Sequence, residues 1–125
     1  MGYRVVDTDA VERTPDRPCD QRALSEPGGL TQMAVNRFVA HPGEQIPLTY
    51  HYHDEQEEAF FVLSGTLHVE TPEETYEVGP NDLFTVDPGS PQRAFNPESA
   101  EAAVDVLAIG APPIDDDAHA YDPES

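Results

Sequence analysis

Short stretches in which apolar and polar residues alternate run through the chain, each closed by Gly, Pro, Asn or Ser. A period of two over a short run is the signature of a half-buried strand. Residues 59–63, 66–70 and 75–78 predict successive antiparallel strands, connected through Ser64-Gly65 and through Thr71-Pro72-Glu73-Glu74. Gly79-Pro80-Asn81-Asp82 predicts a turn before a short apolar strand at 83–86. In 102–109, Val104, Val106 and Ala108 oppose Asp105, Leu107 and Ile109, which leaves Asp105 facing either a polar cavity or an exposed edge. The faces of 30–39 are less clear. Thr31, Met33, Val35 and Arg37 share one side, and Gln32, Ala34, Asn36 and Phe38 the other. The first set is the more apolar apart from its ends and is expected to turn inward, with Arg37 near the surface. His41-Pro42-Gly43 reads as a turn and His41 as a loop residue. With no long helical period, the pattern predicts an all-β protein, antiparallel strands in two sheets, and a jelly roll suits the length.

The two ends differ from this pattern. Residues 3–6 read as a short edge strand, but Pro15, Pro18, Pro27 and Gly28-Gly29 predict an irregular arm up to residue 29. The expected organisation is an N-terminal arm over 1–29, a barrel over 30–110 and an acidic tail over 111–125. The arm is expected to lie across the barrel or against a second subunit. The tail, with Pro112-Pro113 and Asp115-Asp116-Asp117, has little to bury and is expected to be loosely ordered. Its Asp triplet lacks the spaced ligands and glycine of an EF-hand loop.

The stretch with the most chemistry is His51-Tyr52-His53-Asp54-Glu55-Gln56-Glu57-Glu58, followed by a strand that ends at Ser64-Gly65. In an extended strand, i and i+2 share a face, so the imidazoles of His51 and His53 project together from Cα atoms about 6.5–7 Å apart. A polar turn then returns the chain, so that a carboxylate starts the next strand beside the histidines. If Phe60 and Val62 face inward, Glu58 does too and Glu57 faces out. Glu58 is therefore preferred over Glu57 as the third donor of a site for a divalent transition ion. His68 alternates with apolar neighbours and is not counted as a donor.

These residues resemble the first motif of the cupin superfamily: a glycine, His-x-His, a short gap, Glu, and six residues later Gly. Here His51, His53, Glu58 and Gly65 fit, with Gly43 two positions further from the first histidine than usual. The stretch from Gly79 through Asp87, Pro88 and Gly89 to Asn96 resembles the second motif. Where that motif has Pro-x-Gly, Asp87 stands in place of the proline. Where it has a third histidine, this chain has Gln92. The resemblance implies a cupin-type double-stranded β-helix, the small single-domain RmlC-like jelly-roll barrel. It implies His51, His53, Glu58 and Gln92 around an ion (Fe, Mn, Ni, Zn or Cu), with Met33, Val35, Phe60, Val62 and Asn96 lining a small-molecule pocket. Gln92 offers a neutral amide oxygen, a weaker donor than imidazole, and should lower the affinity or shift it toward harder ions.

Two functional classes follow. One is a mononuclear metal-dependent oxygenase or isomerase, in which Glu58 is the candidate base if it leaves the ion. The other is a non-catalytic module that binds a sugar or metabolite, with or without a metal. Fold alone does not choose between them.

Composition narrows the partners. The 125 residues suit one domain, and 38% hydrophobic with 25% charged content suits a folded one. The net charge is −19, and all six basic residues are arginines. A surface this acidic disfavours a nucleic-acid partner. The profile resembles proteins of salt-in halophiles, since concentrated salt screens the self-repulsion of such a chain. No apolar run is long enough to span a membrane, and the first residues carry no signal-peptide core, so a cytoplasmic location is expected. The single cysteine, Cys19, excludes an intramolecular disulfide and reads as a bystander. A homodimer is expected, because jelly rolls leave sheet edges that a partner can cover.

Overall fold

The computed structural model describes residues 2–124. Its strands are β1 (Asp20–Ala23), β2 (Ala34–Ala40), β3 (His51–His53), β4 (Glu57–Ser64), β5 (Leu67–Glu70), β6 (Thr75–Val78), β7 (Leu83–Val86), β8 (Arg93–Phe95), β9 (Val104–Ala111) and β10 (Ala118–Ala120). A 3-10 turn at Thr8–Ala10 precedes β1, and a single α-helical turn, α1 (Ser25–Gly28), follows it. The first sheet has the order β1-β2-β9-β4-β7. The second comprises β6-β5-β8 and β10-β3, joined where His51 bridges Gln92. All strand pairs are antiparallel. The two sheets face each other as a jelly roll.

Register builds the interior in rows, because directly paired residues of neighbouring strands point to the same face. One row joins Phe38, Val106 and Val62, and the next joins Ala40 and Val104. These rows, with Leu67 and Val69 from the second sheet, form the packed core. Towards the other end, one row holds Asn36, Ala108 and Phe60, and the last holds Ala34, Gly110 and Glu58. Small residues there leave space where the packed end has none. The Gln56 amide packs directly over Gly110, and a Cβ there would force that side chain to move. Gly65 is held at φ 76°, and a Cβ there would run into the Ala103 carbonyl.

Three expectations are corrected. In β2 it is Ala34, Asn36 and Phe38 that face inward, not Met33 and Val35. The apolar count misled because both faces of this sheet are partly covered. Outside, Arg37 makes a bidentate pair with Asp105 (3.0 and 2.7 Å) and bonds Thr8 (2.9 Å) and Asp9 (3.0 Å) of the arm. This also resolves Asp105, which faces Arg37 and not a cavity. Inside, Asn36 is tolerated because its Oδ1 accepts from Gln21 Nε2 at 2.9 Å. Second, residues 3–6 form no strand, whereas the arm contributes β1, paired to β2 from Asp20↔Val39 to Ala23↔Asn36. Third, the tail is not loose throughout: β10 pairs β3, and Asp117 is buried. An Asp-rich stretch can be ordered when one carboxylate meets backbone donors, which composition does not reveal.

Candidate metal centre and cavity

β3 carries His51 and His53 to the same face, and β4 carries Glu58 in beside them. One donor atom from each lies within 4.8 Å of the others. His53 Nε2 is 3.1 Å from Glu58 Oε1, and His51 Nε2 is 3.9 Å from the same oxygen. The imidazoles meet edge to face, with centroids 5.0 Å apart. His51 Nδ1 lies 3.0 Å from the Thr49 carbonyl, which can only accept, so Nδ1 carries the proton and Nε2 presents its lone pair. Glu57, the alternative carboxylate, is exposed on the other face of β4.

The electrostatics differ between the two histidines. Burial pushes the His51 imidazole below its ordinary range, against the upward pull of Glu58. The hydrogen bond to Glu58 raises His53, against its own burial. Asp117 is held below the usual carboxylate range. Burial alone would raise it, but the backbone N–H groups of Gln56 and Glu55 donate to it and reverse the sign.

Gln92 enters through the bridge to His51, with His51 N to Gln92 O at 3.2 Å and Gln92 N to His51 O at 2.9 Å. Its Nε2 donates to Glu58 Oε1 at 3.3 Å. Its Oε1 is buried with no hydrogen-bond partner. Two imidazoles, a carboxylate and an unpaired amide oxygen in one neighbourhood fit a divalent transition ion, with nitrogen and oxygen donors of intermediate hardness. His51, His53 and Glu58 would hold it, with Gln92 beside them.

His51, Glu58 and Gln92 border a cavity of about 110 Å³ lined also by Asn36, Phe38, Ile46, Gln56 and Phe60. No arginine is among its lining residues, and the chain has no lysine. Of the residues expected in the pocket, Phe60 lines it. The other four are corrected. Met33 lies before β2 and is exposed, and Val35 is on the outer face. Val62 is fully buried in the packed core. Asn96 is a bracket, its Nδ2 donating to the Ala40 carbonyl (3.0 Å) and the Ala102 carbonyl (2.9 Å). His68 stands apart, 3.4 Å from Glu77 on the outer side of the second sheet. Asn36, Gln56 and Asp117 were not anticipated. Asn36 follows from the other face of the β2 alternation. For Gln56 and Asp117 there was no local signal, since each reads as a polar turn or tail residue.

Residues 36–110 match the cupin domain family, and the chain belongs to it. A protein called polyketide synthase CurC, from Streptomyces cyaneus, is 36% identical over 78 residues, which is 61% of this chain and 49% of that one. The chain thus spans about half the length of this curated relative. A sugar phosphate isomerase of the cupin superfamily from Silicibacter pomeroyi superimposes with a TM-score of 0.71 at 26% identity, covering 86% of this chain and 75% of that one. The polyketide cyclase RemF from Streptomyces resistomycificus superimposes with a TM-score of 0.72 at 21% identity, covering 92% and 89%. No helix among the described residues is long and apolar enough to cross a membrane.

Proposed function

We propose that the chain is a metal-dependent cupin that binds an uncharged carbonyl- or hydroxyl-bearing small molecule and rearranges it by proton transfer, in the manner of an isomerase or cyclase. The observation that carries this reading is the convergence of His51, His53 and Glu58 within 4.8 Å at the edge of a partly apolar cavity. A bound divalent ion supplies Lewis acidity, which polarises a substrate oxygen. Phe38, Phe60 and Ile46 exclude water and hold an apolar ring or chain. Asn36 and Gln56 offer neutral hydrogen bonds to its polar substituents. The lining holds no arginine and the chain no lysine, so a phosphorylated sugar finds no guanidinium or ammonium clamp there, which favours the cyclase-type relatives over the sugar phosphate isomerase as guides to substrate. At about 110 Å³ the cavity takes the reacting end of a molecule and leaves the remainder at its mouth.

One observation favours the second reading, a binding module without chemistry: the cavity is smaller than the roughly 300–1,000 Å³ of typical ligand sites. The two readings separate by nuclear magnetic resonance in D₂O. Protein loaded with manganese, iron, nickel or zinc is mixed with cyclic and linear β-dicarbonyl compounds. Solvent exchange or ring closure faster than in the metal-free protein supports the first reading. Saturable binding with no acceleration supports the second. Oxygen consumption by the iron form would move the chemistry to an oxygenase and overturn the proton-transfer assignment.

A further inference from the structure

His51 and His53 are held by different parts of the chain. His51 is fixed locally, by the Thr49 carbonyl two residues away. His53 has no such neighbour: its Nδ1 is buried and makes no hydrogen bond. The Asp117 carboxylate lies behind it, with Oδ2 at 3.6 Å. Asp117 lies in the segment read from sequence as a loose acidic tail, beyond the residues that match the cupin family.

Its placement is well defined. The side chain is 4% exposed. Oδ2 accepts from the Gln56 N–H at 2.9 Å and the Glu55 N–H at 3.2 Å, and Oδ1 accepts from the Glu55 N–H at 3.1 Å. The Asp117 carbonyl accepts from the Asp54 N–H at 3.2 Å. The next residue, Ala118, pairs with His53 in the β10–β3 ladder. The tail therefore delivers one carboxylate to the turn between β3 and β4 and to the rear of one imidazole. A buried carboxylate with this many donors is ionised and locked, which is what an orienting partner needs.

We propose that Asp117 is the positioning residue for His53: its carboxylate accepts a hydrogen bond from Nδ1–H, which keeps the proton on Nδ1, so that Nε2 faces His51 and Glu58 with its lone pair, and the C-terminal strand thereby completes the ion site. The inference rests on reading His51, His53 and Glu58 as that site. Carboxylates behind metal-bound histidines fix the tautomer and raise ligand basicity, and their loss typically costs about 10–100-fold in affinity.

The test uses the full chain, in high salt to suppress loose ion association with the acidic surface. Zinc affinity is measured by chelator competition for the wild type, Asp117→Asn and His119→Ala. His119 is the control because it also tethers the tail, through a 2.6 Å pair with Asp54 and a ring contact with Tyr52, and carries no role at the ion site. Nitrogen-15 spectra of the zinc-loaded wild type report the imidazole protons. The expected result is a loss of about 10–100-fold in Asp117→Asn, little change in His119→Ala, and a protected Nδ1 proton on His53 as well as on His51. Equal affinity in Asp117→Asn overturns the inference, as does an equal loss in His119→Ala, which would make tail docking the cause. If Asp117→Asn does not fold, the wild-type spectrum decides: absence of a protected His53 Nδ1 proton overturns the inference. A wild type that takes up no zinc overturns the ion site itself along with it.

Discussion

Gln92 and Asn96 are both buried amides, each 2% exposed, and they flank the same short strand, β8. Asn96 stands at the packed end of the barrel and spends both amide protons on carbonyls, of Ala40 and Ala102. Gln92 stands at the open end, donates once at 3.3 Å, to Glu58, and leaves its oxygen without a donor. A buried polar group without a partner is costly, and native interiors hold few of them. The satisfied amide is used up by the fold, and the oxygen of the other stays open beside Glu58. The same division runs through the barrel rows: Phe38-Val106-Val62 is filled, and Ala34-Gly110-Glu58 is small and polar.

That division is breakable, and the largest effect should come at the packed end. Leu67 is fully buried, so Leu67→Ala should cost about 2–5 kcal/mol in urea unfolding while leaving ion affinity in the surviving folded protein unchanged. Asn96→Ala leaves two carbonyls without a donor and should cost about 2–4 kcal/mol by the same measurement, again with no change at the ion site. At the open end the pattern inverts. Glu58→Gln should weaken ion binding by at least about 10–100-fold in chelator competition, and Glu57→Gln should not; the reverse ranking would shift the β4 register by one residue.

Cys19 gives a pH-dependent test of the packed end. It is fully buried, and burial pushes its thiol up to about 11 from 9.0. The folded pKa is raised above the unfolded one, so this contribution is fully present below about pH 9 and is lost as pH rises through 11. Wild type should therefore lose about 2 kcal/mol more than Cys19→Ala across that window, read from paired urea titrations. The smallest effect should be Gln92→Leu: stability within about 1 kcal/mol of wild type, because one half-satisfied amide is replaced by an apolar group of similar size, with weaker ion binding as its main consequence.

Much of this was legible in the residues. The two motifs carried the fold and the meeting of His51, His53 and Glu58, because alternation along β3 and β4 fixes which side chains share a face. The pocket was read less well. Val62 and Asn96 sit on strands or turns the motifs place correctly, but how deep a row lies in the barrel is set by cross-strand register, which no single strand displays. Met33 and Val35 failed because Arg37 has its partner, Asp105, 68 residues away, and until that pair is known the β2 face is undetermined. Asp117 was hidden for the same reason. Its function depends on a pairing between the tail and β3, and an Asp triplet alone reads as solvated charge.

The central claim is that the open end of this barrel holds a metal ion. It is tested most directly by elemental analysis and titration of protein purified without chelators or a metal-binding tag, in concentrated salt that screens the −19 net charge. The account predicts a single tightly held divalent transition ion per chain, lost in His51→Ala and in His53→Ala while both variants remain folded. No uptake by the wild type, or uptake that survives both substitutions, would contradict it.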